Sequence, residues 1–349
     1  MIPQAPAGAG VRLTRRSLLK ALCAAMATAG WQRIDGGDPI IRINIPGPLL
    51  MPFFPIEMIP TLGIDRQLGY KLAIRYHPTG VLAFEDMLAG NADFAGIGFP
   101  ILPRFVAQGH RMVAIGRLSK GAPPYAIIVR ADLADRIRSI EDLRGHTLGV
   151  PVGSATTKTY LQLVAELWVT AHGVKREELR WAPITQTYDG VYGAMAGATV
   201  DAVFCEEPYS ASLVREGLGK QLASLNDPRN PVRVVGRDHL RAVIVTTPGH
   251  IERNPRAVRA MAGMLNRALA WANAASPEEI VDKLSIDDPA QHEDLVDALR
   301  RLPTPYSPDG GFSEDEIKAT REFMREVGIV MPEGEDIRDL IDDRWVKAD

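Results

Sequence analysis

The sequence has very little cysteine, which excludes a fold held together by disulfides. Two of its 349 residues are cysteines, Cys23 and Cys205. Cys23 lies in an N-terminal stretch that we expect to be removed, so the mature chain would hold Cys205 alone and could form no intramolecular disulfide. The seven histidines are scattered, without a pair at metal-ligand spacing. We therefore expect no metal site and no cofactor.

The chain also lacks a surplus of basic charge and a long apolar run. It has 40 basic and 43 acidic residues, and the first 29 residues hold four of the basic ones and none of the acidic ones. The rest therefore carries a net charge of −7 and shows no basic patch, which argues against a nucleic-acid partner. No stretch reaches the length of about 20 apolar residues that a transmembrane helix needs. A hydrophobic content of 46% is typical of globular proteins, and the length suffices for two domains.

The N-terminal residues have the composition of an export signal. Two adjacent arginines, Arg15 and Arg16, precede a short alanine-rich apolar stretch, and Ala27-Thr28-Ala29 offers small residues for cleavage. We predict that residues 1–29 form a twin-arginine signal peptide and that the mature protein is periplasmic. The alternative is a lipoprotein signal with Cys23 as the lipidated residue, but the residues before Cys23 are too large for one.

After residue 38 the sequence alternates between β-branched segments and helical patterns. The predicted strands are 40–45, Tyr70–Tyr76, Asp93–Gly98, Tyr125–Val129, Thr147–Val150, Asp201–Cys205 and Ala242–Thr247. Prolines in the segment 46–55 forbid regular strand pairing, so we expect a loop there. Strands that alternate with helices predict an α/β fold with largely parallel sheets.

Apolar residues at the helical period mark two buried helices. The first stripe consists of Leu161, Val164, Leu167, Trp168 and Ala171, and the second of Val258, Met261, Leu265, Ala268 and Ala272. Two further helices begin with the spacing of capping boxes, at Ser276–Glu279 and Ser313–Glu316. The acidic segment from Glu333 is expected to form a solvated helix and tail.

Ligands of open α/β sheets bind beyond the carboxyl ends of the strands, at loops that lead into helices. One such loop, Gly153-Ser154-Ala155-Thr156-Thr157, is predicted to open a helix. Free backbone N–H groups and three hydroxyls at a helix start favour an anion. The alternative is that Ser154 or Thr156 only caps the helix. Since capping and ligand contact use the same groups, we favour ligand contact.

Aromatic residues in the proline-rich loop are a second candidate for the ligand site. For a single Phe the core is the better assignment, but the prolines beside Phe53 and Phe54 favour a shaped apolar wall across the cleft. The further candidates at strand ends are Gly98, Phe99, His77 and Thr79. The last two are the weakest, because a histidine before a proline is also typical of a turn.

Two adjacent carboxylates, Glu206 and Glu207, follow the strand that ends at Cys205, and Tyr209 lies just beyond them. Two buried carboxylates are costly unless at least one is solvated or paired. Either could bind an amine or a ring N–H of the ligand. Either could instead pair with an arginine such as Arg241 across a hinge, and we favour the pairing slightly.

Seven short stretches occur in an order and at separations that indicate one family. They are Phe84–Ala95, Ala107-Gln108-Gly109, Tyr125–Arg130, Asp142-Leu143-Arg144-Gly145, Gly149–Ser154, Val200-Asp201-Ala202 and Glu207-Pro208-Tyr209. No single stretch is specific, but the ordered set spans about residues 40–275. It resembles the substrate-binding proteins of ABC importers for nitrate, taurine and sulfonates, which have the type II periplasmic-binding-protein fold. Proteins that bind a pyrimidine precursor of thiamin belong to the same superfamily.

The resemblance implies two α/β lobes, each a mixed, mostly parallel sheet flanked by helices, with hinge crossovers near 118–126 and 232–245. Lobe I would comprise residues 38–120 and 245–349, and lobe II residues 124–235. A small organic anion would bind between the lobes: an alkyl or aryl sulfonate or an aromatic carboxylate, less readily nitrate. The protein would act as a monomer that delivers the ligand to an ABC permease and ATPase at the inner membrane, with no catalytic residue.

Three alternatives stay open. A biosynthetic enzyme on the same fold would, by resemblance, need a cysteine-rich iron motif, and a mature chain with Cys205 alone lacks one. A binder of the thiamin pyrimidine precursor needs no such motif. A sensor subunit that presents its ligand to a membrane receptor has the same sequence requirements as an importer subunit.

Overall fold

The computed structural model describes residues 38–121, 123–227, 238–302 and 305–346. The predicted signal peptide, residues 1–29 with Cys23, lies outside these residues, as does part of the second predicted crossover. Within the described part of the chain, no helix is both long and apolar enough to cross a bilayer. The residues from Ile40 onward belong to one folded unit that contains two β-sheets.

Ten strands of the described residues form these two sheets. They are β1 (Ile40–Pro46), β2 (Lys71–His77), β3 (Phe94–Gly98), β4 (Val113–Arg117), β5 (Tyr125–Arg130), β6 (Thr147–Pro151), β7 (Arg180–Ile184), β8 (Ala202–Glu206), β9 (Gly219–Ser224) and β10 (Ala242–Thr246). The first sheet has the order β2-β1-β3-β10-β4, and the second has the order β7-β6-β8-β5-β9. The chain passes from the first sheet to the second between β4 and β5, and it returns between β9 and β10.

Each sheet has four strands in one direction and one strand against them. In the first sheet β1 is parallel to β2 and β3, while β10 is antiparallel to β3 and β4. In the second sheet β6 is parallel to β7 and β8, while β5 is antiparallel to β8 and β9. The reversed strand is in both cases the first strand after a crossing. The predicted mixed, mostly parallel sheets of a two-lobed α/β fold are confirmed.

Helices flank both sheets. They are α1 (Phe54–Thr61), α2 (Ile64–Gln67), α3 (Gly80–Leu88), α4 (Leu102–Ala107), α5 (Tyr160–Ala171), α6 (Tyr188–Ala196), α7 (Tyr209–Arg215), α8 (Pro248–Arg253), α9 (Pro255–Ala274), α10 (Pro277–Asp282), α11 (Pro289–Arg301) and α12 (Glu314–Glu326). Both predicted capping boxes are present, at the starts of α10 and α12. Threonine hydroxyls accept the N-cap hydrogen bonds of α3, α5, α6 and α8, as short polar side chains commonly do at helix starts.

Three of the ten described strands, β4, β7 and β9, are absent from the strands predicted from the sequence. The segment of β9 contains no β-branched residue, yet it pairs with β5 from Gly219 to Ser224. The exposed edge of β5 provides the hydrogen-bonding partner, so strand formation here is a tertiary effect rather than a local propensity. Strand β4 was missed as well, and it is held at the edge of the first sheet by β10.

The core follows one predicted stripe and departs from the other. The stripe of α9, from Val258 to Ala272, is buried throughout. In α5, Leu167 is half-buried and Ala171 is exposed, whereas Leu163 and Val169 are buried. The buried face of α5 is therefore rotated from the predicted stripe and wider than it.

The expectation of a solvated C-terminal helix and tail is wrong. Residues Ile337–Leu340 and Asp343–Trp345 form short 3-10 turns, and Ile341 between them makes a parallel bridge with Ala114 of β4. Ile337 and Leu340 are buried. These apolar side chains pack under the first sheet, while charged residues around them, such as Glu333, Arg338 and Asp339, face solvent.

Candidate functional site

A narrow cavity lies between the two sheets, at the edge where the parallel strands of both end. Its volume is about 50 Å³, which is room for a few water molecules. The ends of β1, β3 and β8, the starts of β5 and β10, and the first turns of α3 and α5 reach it. The polar groups that line it belong to Ser119, Tyr125, Thr159, Tyr160, Gln186, Glu206 and Arg241. Because both sheets contribute, the cavity is a site between two lobes.

Three of the predicted ligand-binding residues line this cavity: Phe53, Gly98 and Glu206. Phe53 lies in a 3-10 turn after β1, Gly98 ends β3, and Glu206 ends β8. The neighbouring Phe54 begins α1 and is fully buried in the core, so the apolar wall is formed by Phe53 without it.

The other candidates that follow strands of the first sheet have structural partners. His77 Nε2 is 3.4 Å from a carboxylate oxygen of Asp86, and burial lowers the pKa of this imidazole. The hydroxyl of Thr79 caps α3. Phe99 is fully buried beside the cavity without lining it. Ligand contact by these three residues stays a prediction.

The segment Gly153–Thr157 forms a turn ahead of α5 and does not open the helix. The helix begins at Tyr160, and its N-cap is Thr159, whose hydroxyl accepts a hydrogen bond from the Gln162 N–H at 3.0 Å. The prediction that this segment opens the helix is therefore wrong, and so is the alternative that Ser154 or Thr156 caps it. The Thr-x-x-Gln spacing of residues 159–162 is that of a capping box and could have located the helix start.

The cavity is lined by Thr159, Tyr160 and Leu161, which follow the predicted segment. Within that segment the backbone N–H of Ser154 donates to the carbonyl of Thr157 at 3.0 Å, which closes the turn. The helix start that reaches the cavity is therefore the first turn of α5, and not residues 153–157 as predicted from the sequence. Ligand contact by the segment itself stays a prediction.

The two adjacent carboxylates have different surroundings. Glu206 is 1% exposed, and its Oε1 accepts a hydrogen bond of 2.6 Å from the amide of Gln186. Burial raises the pKa of Glu206 from its usual 4.5 to about 7, although the Gln186 hydrogen bond and the charge of Arg241 both act against this increase. Glu207 points elsewhere and lies 3.4 Å from Arg301. Glu206 is thus the carboxyl group of the cavity, and Glu207 belongs to an ion pair outside it.

Arg241 is a buried arginine that lines the cavity and has one N–H group without a hydrogen-bond partner among the described residues. It is 5% exposed, and its Nη2 donates to the carbonyl of Lys120 at 2.8 Å. Its Nη1 has no hydrogen-bond partner among the described residues. The favoured pairing with an arginine is found for Glu207, with Arg301 rather than Arg241 as the partner, whereas no ion pair within 4.0 Å joins Arg241 to Glu206 or Glu207 among the described side chains. Arg241 therefore brings an unpaired positive charge to the site.

Two tyrosines that sequence reasoning did not select also line the cavity. Tyr125 begins β5 and Tyr160 begins α5, and their ring centroids are 6.1 Å apart. Burial raises the pKa of both hydroxyls, so both are neutral at physiological pH. The only local signal was position, since Tyr125 follows two prolines and Tyr160 follows a capping threonine.

Several hydrogen bonds join the two lobes around the cavity. The backbone N–H of Gln186 donates to the carbonyl of Pro78 at 3.3 Å. The hydroxyl of Tyr209 donates to the carbonyl of Pro48 at 3.1 Å, and the amide of Gln108 donates to the hydroxyl of Thr157 at 3.2 Å. These bonds and the small cavity volume show that the lobes are closed on each other.

The described residues offer no group of three or more His, Cys, Asp or Glu side chains that could hold a metal ion. Cys205 is buried and free, and burial raises the pKa of its thiol. The groups available in the cavity are therefore one guanidinium, one carboxyl group, one amide and several hydroxyls.

Comparison with solved structures shows a shared fold. The alkanesulfonate-binding protein SsuA from Xanthomonas axonopodis pv. citri, bound to MOPS, matches 88% of this chain and 99% of its own with a TM-score of 0.67 and 17% identity. The periplasmic nitrate-binding protein NrtA from Synechocystis PCC 6803 matches 83% of this chain and 82% of its own, with a TM-score of 0.64 and 15% identity. A protein from Bordetella bronchiseptica RB50 matches 90% of this chain and 98% of its own, with a TM-score of 0.75 and 18% identity.

These likenesses confirm the type II periplasmic-binding-protein fold predicted from the ordered stretches. No match to a curated protein sequence was found. The sequence model of the NMT1/THI5-like family matches residues 66–280, which is more than half of the chain and includes strands of both sheets. The chain therefore belongs to the NMT1/THI5-like family.

Proposed function

We propose that this protein is the solute-binding subunit of an ABC importer and that it captures a small organic anion between its two lobes. The observation that carries the proposal is the cavity at the facing edges of the two sheets, to which both lobes contribute side chains. A ligand that contacts both lobes stabilises their closed arrangement relative to the open one. The names of two structural neighbours, which bind alkanesulfonate and nitrate, support the same role.

The free donor of Arg241 supports an anionic ligand. A buried guanidinium is costly unless an anion or a set of acceptors compensates it, and the Nη1 of Arg241 has neither. Glu206 repels an anion less than an ordinary carboxylate does, because burial raises its pKa to about 7 and the group is mostly protonated below that pH. A carboxylate or sulfonate group would accept hydrogen bonds from Arg241 and from the nearby hydroxyls of Ser119 and Tyr125.

The apolar wall supports a ligand with an organic body. Phe53, Val81 and Ile97 line the cavity from the first lobe. Sites for small organic ligands usually measure roughly 300 Å³ or more, so a cavity of about 50 Å³ must widen to admit one. We therefore expect the lobes to separate for ligand entry and to close again around an alkyl or aryl sulfonate or an aromatic carboxylate, in preference to nitrate.

Transport follows from capture in this proposal. The segment 1–29 directs the protein through the twin-arginine pathway to the periplasm, where the closed monomer docks on the permease and releases its ligand. The protein makes and breaks no bond of the solute. Ligand recovered from the isolated protein should therefore be chemically unchanged.

The pair of Glu206 and Gln186 favours a second candidate, a binder of a pyrimidine precursor of thiamin. A carboxyl group next to a carboxamide presents donors and acceptors that complement the amino group and ring nitrogen of an aminopyrimidine. Tyr125 and Tyr160 line the cavity with aromatic rings, and one of them would pack against the heterocycle. Such a ligand offers no anion to Arg241, which places this candidate second.

A thermal-shift screen of residues 30–349 tests the two candidates. The panel contains alkyl and aryl sulfonates, benzoate, nitrate and an aminopyrimidine. A ligand at a hundredfold excess over its Kd stabilises the folded state by about 2.7 kcal/mol, which is easily detected. Stabilisation by the aminopyrimidine alone would contradict the organic-anion proposal.

Substitution of Arg241 tests whether this residue binds the anion. Arg241→Gln should abolish the stabilisation, while Arg241→Lys should retain part of it because the charge stays. Arg259→Gln, an exposed arginine on α9 away from the cavity, is the matched control and should bind as the wild type does. Equal binding by Arg241→Gln and the wild type would remove Arg241 from the site.

A further inference from the structure

The side chain of Tyr160, on the second lobe, packs between Gly98, His239 and Phe323 of the first. Tyr160 is 5% exposed, although it is the first residue of its helix. Its hydroxyl is hydrogen-bonded to Nε2 of His239 at 2.8 Å, and its ring centroid lies 5.7 Å from that of Phe323 on α12. His239 is itself stacked on Phe323, with centroids 4.2 Å apart and an interplanar angle of 9°. The ring is therefore held at both its edge and its hydroxyl.

The Cβ and Cγ atoms of Tyr160 lie against Gly98 at the end of β3. A Cβ atom added to Gly98 would lie 2.6 Å from the Cβ of Tyr160 and 3.1 Å from its Cγ. These are the near atoms of the tyrosine side chain, so rotation of the ring cannot relieve the overlap. The ring is also anchored by His239, so the clash would be transmitted to the backbone of α5 and from there to the whole second lobe.

The backbone at Gly98 gives no other reason for a glycine. Its φ of −73° and ψ of 119° are ordinary extended values that alanine adopts without strain. Gly96, two residues earlier on the same strand, is different, because its missing side chain makes room for Phe53 and Ile45 of the same lobe. At Gly98 the close approach is to the other lobe.

We propose that Gly98 and Tyr160 determine how far the lobes close. Because Gly98 has no side chain, Tyr160 packs directly against β3, and any larger residue at position 98 holds the lobes apart. This inference rests on the proposed function, because closure of the lobes is the step that captures the solute. It assigns to Gly98 a role in positioning the second lobe rather than in contacting a particular ligand group.

The test uses an amide that reports closure without any ligand. The N–H of Gln186, on the second lobe, donates to the carbonyl of Pro78 on the first, so its hydrogen exchange depends on the lobes being together. In Gly98→Ala this amide should exchange roughly tenfold faster or more, because overpacking opposes the closed arrangement. Amides inside α9, far from the junction, should exchange at the wild-type rate.

Two further variants complete the test. Gly193→Ala is the matched control, since a Cβ there meets no atom within 4 Å and its backbone is helical; it should leave the Gln186 rate unchanged. Tyr160→Ala removes the inserted ring without adding bulk and should also accelerate exchange at Gln186. It keeps the experiment decisive if Gly98→Ala does not fold.

The outcomes separate this inference from the proposed function. Wild-type exchange at Gln186 in both Gly98→Ala and Tyr160→Ala would overturn it. So would equal acceleration throughout α9, since the contact would then support the fold rather than closure. Benzenesulfonate serves as the ligand probe, and we expect its Kd to increase roughly tenfold in Gly98→Ala and not in Gly193→Ala. If benzenesulfonate does not bind the wild type, the ligand assignment is wrong, while the exchange result still decides the role of Gly98.

Discussion

Replacing Glu206 by glutamine should remove a pH dependence from the stability of this protein. Glu206 is the carboxyl group of the cavity, and burial raises its pKa from 4.5 to about 7. The groups that interact with it are the amide of Gln186, the guanidinium of Arg241, the thiol of Cys205 and three tyrosine hydroxyls, those of Tyr125, Tyr160 and Tyr209. Glutamine has nearly the same shape and no charge to titrate, so Glu206→Gln isolates the ionisation from the packing.

The sign and size follow from linkage. The folded state binds the Glu206 proton more tightly than the unfolded state, so this group's contribution is fully present below pH 4.5 and is lost as the pH rises through 7. The two pKa values differ by about 2.5, and each pH unit corresponds to about 1.4 kcal/mol. The wild type should therefore lose about 3 kcal/mol of unfolding free energy from Glu206 between pH 4.5 and 8.

Urea denaturation at several pH values between 4.5 and 8 measures this difference. The wild-type curve should fall relative to that of Glu206→Gln by about 3 kcal/mol over the range. Glu57→Gln is the matched control, because burial also raises the pKa of Glu57 to about 7, so it should remove a separate and similar share. If the wild type and Glu206→Gln show the same dependence on pH, Glu206 ionises in the folded protein as it does in water, and the reasoning fails.

Three other substitutions test parts of the fold and the site. Thr159→Ala should lower the free energy of unfolding in urea by about 1 kcal/mol through loss of the α5 cap, while Ser154→Ala, which caps nothing, should not; equal effects would contradict the observed helix start. Trp168→Ala should cost roughly 3–5 kcal/mol in the same assay, because Trp168 is fully buried against β8, and a loss below 1 kcal/mol would place it outside the core. Tyr209→Phe should weaken ligand binding by about fivefold in calorimetry through loss of its hydrogen bond to the other lobe, with an unchanged circular dichroism spectrum; unchanged affinity would show that this bond does not support closure.

Sequence patterns predicted the architecture well because the signals are local. The alternation of strands and helices, the capping boxes of α10 and α12 and the apolar stripe of α9 depend on neighbouring residues and on the helical period. They were found at or near their predicted positions. Strand β9 was missed because its pairing with β5, not its composition, makes it a strand.

The candidate site was predicted less well because it is assembled from distant segments. Phe53, Gly98 and Glu206 were found from their positions at the ends of strands or beside prolines. Arg241 lies at the end of the second crossing, and no local pattern indicates that its Nη1 is left without a partner among the described residues. The start of α5 was placed too early, since a run of hydroxyl residues offers several possible caps and only the folded turn shows that Thr159 is used.

By itself, the sequence determined the family, the two-lobed α/β architecture and the starts of α10 and α12, because periodicity, capping and ordered short motifs are properties of contiguous residues. Only the tertiary structure decided which groups share the cavity, which carboxylate is buried, and how closely Tyr160 approaches Gly98. These features depend on distances between lobes that are linked by two crossings. Desolvation and steric overlap act through space, so they become visible once both lobes are in place.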